Sequence, residues 1–403
     1  MSLDGQKQMQ GSSLREDWSL SAITAGLLAV LISYAGPLAI LFEAGRSAHA
    51  SNAMVASWVW GISIGSAICG IALSWLLKQP IITAWSAPGT ALLVTLFPAL
   101  PLNEAIGAYI TAGLIILSLG ASGYFDLVIK KIPPGIASGM MAGILFQFTT
   151  GVFKAVSVDP ALALGMVAAY VIFRRLLPRY ALIVVLVLGS IFAVVHGTAH
   201  FESVSLKITR PEFIIPHWTL QSTVSLALPL VLVSLTGQFL PGLAILRVSG
   251  YQTPARPVLM ITGAVSMVVA LFGGITVVIA AITAALCTGA DAHRDPNKRY
   301  IAGIANGFFY LLGGIFAGTV VLLFAALPKG FVAVLAGLAL LGATLSNLIA
   351  LVQDEQHREA SFITFVATAS GMSFLGLGSA FWGIVIGSLA HLVLGAADRR
   401  KRV

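Results

Sequence analysis

The sequence predicts an all-α polytopic membrane protein of fourteen transmembrane segments, arranged as two inverted sets of seven. Composition, the distribution of basic residues and an internal repeat predict it. Of 403 residues, 58% are hydrophobic and only 9% charged, and the mean hydropathy is +0.96. A soluble domain carries about 25% charged residues. Apolar runs near bilayer length recur from Leu20 to His391, and in lipid such runs must satisfy their backbone internally, as helices.

Spans are expected at 18–44, 52–77, 80–98, 102–122, 132–153, 160–177 and 180–197, then at 219–247, 256–273, 274–290, 299–325, 328–352, 359–376 and 378–396. With both termini inside, only Arg46, Lys154, Lys207, Arg210 and Lys329 of the 23 Lys and Arg fall outside. That bias is what orients membrane proteins. Losing one span would throw alternate basic loops to the wrong side, whereas a twelve-span reading with two re-entrant segments disturbs only part of the pattern. The net charge of +8 is thereby an orientation signal, and no nucleic-acid partner is expected. Cys69 and Cys287 lie in apolar segments, so neither a disulfide framework nor a metal is expected, and no cofactor. The first 17 residues form a polar tail without a signal peptide. Residues 198–218 read as an external linker, and 397–403 as a basic tail.

The halves echo one another. Leu38–Leu41 with Gly45 returns as Leu243–Leu246 with Gly250. Ile82-Thr83 with Thr90-Ala91 returns as Ile275-Thr276 with Thr283-Ala284. Ile132-Pro133 with Gly135 returns as Leu327-Pro328 with Gly330. Three matches in one order indicate a repeat. Seven spans per half is an odd number, so the second half starts on the opposite side and the repeats are inverted. Inverted repeats mark secondary transporters, with the substrate near mid-membrane at interrupted segments.

The interrupted pair is the third and tenth segments. Pro88 disfavours helix at Ala87 and suits the first turn of a new helix, so 81–86 should be extended and 88–98 a half-helix. In the mate, Gly273-Gly274 and the β-branched run Ile275–Ile279 precede a half-helix over 281–290. Topology brings both helix N-termini to the midplane, where unpaired N–H groups and the positive dipole ends make an anion site without a cation. The expected substrate-binding residues here are Ser86, Ala87, Pro88, Gly89 and Thr90, with Ile279, Ala280, Ala281, Ile282 and Thr283. A packing kink is the alternative reading of Pro88-Gly89. Gln238 of the eighth segment offers an amide to a carboxylate or to a neighbouring helix. Phe239 and Trp85 offer rings for stacking, and Ser33 and Tyr34 occupy the matching region of the first segment. Gln147, Asn306 and Asn347 read as interhelical contacts.

No charged side chain sits at the centre of a span. A coupled proton therefore uses Glu43 or Glu104, the nearest acids, or crosses on the substrate carboxylate itself. An anion channel or uncoupled exchanger would use the same site. A membrane enzyme would need a catalytic acid–base pair or metal cluster within the spans, and none is visible.

The stretches Thr83–Gly89, Leu102–Gly107, Ile279–Ala285 with Ala292-His293, and Gly378–Gly383 together resemble the BenE benzoate transporter family, over residues 20 to 396. The resemblance implies a benzoate:proton symporter of the bacterial inner membrane. It also implies a core domain (18–122 and 219–327), a gate domain (123–197 and 328–396), a substrate between them, and a homodimer through the gate. The wider relatives include uracil and sulfate permeases. Nucleobase permeases place acids in the eighth and tenth segments. Gln238 and small or apolar residues stand here instead, which suits an aromatic carboxylate better than a neutral nucleobase.

Overall fold

The computed structural model describes residues 17–97 and 99–401, without the side chains of Ser203, Ile282 and 395–401. Most of the N-terminal tail and the end of the C-terminal tail lie outside the described residues.

The first half contains α1 (Leu20–Ser47), α2 (Asn52–Leu77), β1 (Thr83–Trp85), α3 (Ala87–Leu96), α4 (Leu102–Ser122), α5 (Phe125–Lys131), α6 (Pro134–Val156), α7 (Pro160–Leu176) and α8 (Ala181–Val195). The second contains α9 (Leu220–Val248), α10 (Ala255–Ala270), β2 (Val277–Ile279), α11 (Ala281–Thr288), α12 (Tyr300–Ile315), α13 (Ala317–Ala325), α14 (Lys329–Gln353), α15 (Arg358–Ala369) and α16 (Ser379–Lys401). The chain is mostly helical and of membrane type. Six helices (α1, α2, α4, α6, α9 and α14) are long and apolar enough to cross a bilayer. The pair α12–α13, with the turn before it, bends by 70° and adds a seventh when read as one span.

Prolines explain the irregularities of α1 and α9. Pro37 has no N–H to donate, and α1 breaks at Gly36 (φ −120°, ψ −73°). In α9, two π-helical stretches, Thr223–Ala227 and Leu235–Phe239, stand just before Pro229 and Pro241. A proline deletes one i→i−4 bond and crowds the carbonyl it would have met. The ladder shifts instead, and the residue before each proline donates five back, Leu228 to Thr223 and Leu240 to Leu235.

Helices pack pairwise: α14 on α6, α10 on α4, α12 on α2, and α15 on both α6 and α16. Small residues set the close approaches. A Cβ at Gly143 of α6, for example, would lie 2.6 Å from the Thr368 Cβ of α15. Gln147 bridges the same two helices, donating to the Thr368 and Ala369 carbonyls at 3.3 Å. Asn306 reaches the Gly26 carbonyl of α1 at 3.4 Å. Asn347 differs from the expected interhelical contact: it bonds the Ala343 carbonyl of its own helix at 2.8 Å, because an amide four residues on meets that carbonyl first.

The linker between the halves is an extended strap. Thr209 N–H donates to Ile315 O (2.8 Å), Ile214 N–H to Leu271 O (2.8 Å) and His217 N–H to Asn103 O (2.9 Å). It thus satisfies otherwise orphaned carbonyls at the C-terminal ends of α12 and α10, and its own His217 N–H finds an acceptor at the start of α4.

Candidate functional site

β1 and β2 pair antiparallel at the centre of the bundle, Thr83 opposite Ile279, Ala84 opposite Val278 and Trp85 opposite Val277. The ladder continues through Ser86 N–H to Thr276 O and Ala280 N–H to Ile82 O, each 2.9 Å. All six strand residues are buried, so neither backbone has water to turn to, and pairing is the remaining way to satisfy these groups.

Each strand runs directly into a helix, α3 at Ala87 and α11 at Ala281. The register sets these two starts at opposite ends of the ladder. At a strand rise of about 3.3 Å per residue they stand on the order of 20 Å apart. The two positive ends face each other across the ladder and do not converge on one point.

The ends are also unequal. At α3, the Ser86 N–H is used in the ladder, Pro88 has none, and the Gly89 N–H is capped by Ser86 Oγ at 3.1 Å. Only Ala87 remains. Thr90 turns its hydroxyl to Ser86 O at 2.9 Å. At α11 the capping position is Ala280, whose methyl accepts nothing. The first turn, Ala281 to Thr283, has no side-chain cap, so α11 is the better anion acceptor. Thr283 is buried, and the side chain of Ile282 lies outside the described residues.

α9 closes the site from one side. A Cβ at Gly89 would meet Leu230 Cδ1 at 2.5 Å, so the glycine lets α3 pack closely on α9 without displacing that side chain. Gly242 of α9 abuts Ile279, and Ser234 Oγ lies 3.3 Å from Thr276 Oγ1. Gln238, partly buried, sits within the second π stretch. The adjacent Gly237 faces Met141 of α6, whose Cε would lie 2.6 Å from an added Cβ. Phe239 is fully buried. The neighbours Ser234 and Thr276 escaped sequence reasoning although signals existed. Ser234 stands four residues before Gln238, on the same helix face, and Thr276 is the repeat mate of Thr83.

Behind β1, Tyr34 of α1 shares a hydrogen bond with Ser63 Oγ at 2.6 Å. Its ring packs against Trp85 (6.2 Å between centroids) and Tyr310 (5.8 Å). Trp85 Nε1 and Tyr310 Oη are buried without a protein partner. Ser33 is spent on its own helix, donating to Ala29 O at 3.0 Å. Glu43 pairs with Arg46 at 2.7 Å, and Glu104 accepts from Thr219 Oγ1 at 2.7 Å. Both acids stand near helix ends, engaged with neighbours. Among the described residues no His, Cys, Asp or Glu group has metal-holding geometry.

The fold is shared with solved transporters. The transmembrane domain of a cyanobacterial bicarbonate transporter, BicA, matches with a TM-score of 0.58 at 15% identity, over 94% of this chain and 97% of that one. The murine anion transporter Slc26a9 in its inward-facing state matches with a TM-score of 0.68 at 12% identity, over 98% and 74%. These likenesses are of fold, a membrane-type bundle of apolar helices. The chain belongs to the BenE, or benzoate membrane transport protein, family, whose pattern covers residues 16–393. A benzoate membrane transport protein of Acinetobacter baylyi is 57% identical over 382 residues, 95% of this chain and 97% of the relative. The inner membrane protein YdcO of Escherichia coli is 36% identical over 380 residues, 94% and 97% respectively.

Proposed function

We propose that the protein carries benzoate or a similar aromatic carboxylate, together with a proton, across the bacterial inner membrane by alternating access. The observation that carries this reading is the uncapped N-terminus of α11, preceded by a strand that packs on the π stretch containing Gln238, in a chain 57% identical to a benzoate transport protein. The carboxylate takes the α11 end, Ala280 to Thr283, and the amide. The ring lies toward Ser86–Thr90 and the aromatic side chains around Tyr34. No acid stands at the crossing itself, which favours a proton carried on the substrate carboxylate, with Glu43 and Glu104 as alternative carriers.

The fourteen-segment inverted arrangement belongs to the same reading. The packing supports it: exchanging repeat mates turns the pair α2–α12 into α10–α4, returns α6–α14 to itself, and turns α15–α16 into α7–α8, all of which are packed pairs. The core then comprises residues 18–122 and 219–327, the gate 123–197 and 328–396. Both termini are cytoplasmic, and exposed apolar side chains of α7 and α8, such as Val171 and Ile191, face lipid or a second copy.

Uptake of labelled benzoate into proteoliposomes tests the reading. Accumulation driven by an imposed pH gradient is expected. Absence of uptake above empty vesicles, for benzoate and several aromatic acids, removes the substrate assignment. Equal uptake with and without the gradient moves the assignment to an uncoupled exchanger.

A further inference from the structure

A cavity of about 310 Å³ opens between the C-terminal half of α9 and the start of α5, on the face that the basic loops make cytoplasmic in the proposed orientation. Its apolar wall is Phe125, Leu243 and Tyr251, and its polar rim is Arg247, Asp126 and Thr253. Hydrogen bonds fix the wall: Tyr251 Oη donates to Pro296 O at 2.9 Å, and Thr253 Oγ1 donates to Gln79 Oε1. Burial pushes the Tyr251 hydroxyl above its ordinary range, so it stays neutral beside an anion. Arg247 is exposed and forms none of the ion pairs among the described residues.

We propose that this cavity is a second binding site for an aromatic carboxylate, separate from the crossing, through which product accumulated inside slows transport. The ring lies on Phe125, Leu243 and Tyr251, and the carboxylate meets the Arg247 guanidinium. The volume falls at the small end of ordinary ligand pockets, roughly 300–1,000 Å³. A planar guanidinium suits a carboxylate in two-point contact. The location gives binding its consequence. α5 joins the proposed core to the proposed gate, and α9 carries Gln238, so a ligand lodged between them restrains the joint that transport must flex. The inference rests on the proposed aromatic-acid substrate.

Two measurements test it: equilibrium binding of labelled benzoate to the purified protein, and uptake into oriented vesicles with and without benzoate preloaded inside. Two sites are expected, with inhibition by internal benzoate. Arg247→Gln should weaken the second site about tenfold, the loss of one charge-assisted contact. Asp126→Asn should tighten it, because a like charge leaves the rim. Inhibition should move in the same opposite directions, with uptake into unloaded vesicles unchanged. A single site, unaltered inhibition in both variants, or lost uptake into unloaded vesicles by Arg247→Gln overturns the inference. Absence of benzoate uptake by the unsubstituted protein instead overturns the function proposed above.

Discussion

At the residue scale, the two helix starts show how one side chain changes what a backbone offers. Ser86 spends its hydroxyl on Gly89 N–H, whereas Ala280 leaves the α11 end uncapped. Ser86→Ala should cost about 1 kcal/mol of stability, the ordinary worth of a cap, read as a lowered melting temperature in detergent. An unchanged melting temperature would deny the cap its role. Tyr310 makes the opposite case. Its buried hydroxyl has no protein partner, and an unmet buried donor costs roughly 1–3 kcal/mol. Tyr310→Phe should therefore leave the melting temperature unchanged or raise it; a clear drop would reveal a partner. Gln238→Ala should weaken benzoate binding about tenfold with stability preserved, and equal affinity in the variant would take Gln238 out of the site.

At the element scale, α9 is the informative helix. Pro229 and Pro241 were visible in the sequence, but their effect depends on how the ladder responds. It responds by widening to a π turn, not by breaking, and the second wide turn contains Gln238. Pro241→Ala returns the missing donor to the Gly237 carbonyl and favours a regular ladder, which re-aims residues 235–239. The expected outcome is weaker benzoate binding with equal or greater thermal stability. Unchanged binding would show that the wide turn does not position the amide. α1 meets the same problem differently. There the ladder is interrupted at Gly36-Pro37, and a Cβ at Gly36 would lie 2.7 Å from the Ala339 Cβ, so the glycine serves close packing on α14.

At the scale of the whole molecule, orientation is the property to test. Single cysteines replacing Lys131 and Lys207 should be labelled by an impermeant thiol reagent from opposite sides of the membrane. Cys69 and Cys287 are buried and give little background. Labelling from one side would contradict the inverted arrangement.

The hydropathy and charge patterns by themselves determined a helical membrane protein, because lipid allows few backbone solutions and the length of a span is fixed by the bilayer. They also marked the interruptions at 80–98 and 274–290, since Pro88 and the β-branched run are local signals; the strands at 83–85 and 277–279 fall within them. What only the tertiary structure decided is how those interruptions meet. A three-residue strand has no stability alone, and its register depends on a partner nearly two hundred residues away, so nothing local records it. The register places the two positive helix ends across a ladder, at its opposite ends. Likewise Gly89 stands against Leu230, a close packing indistinguishable in sequence from a ligand's need for room.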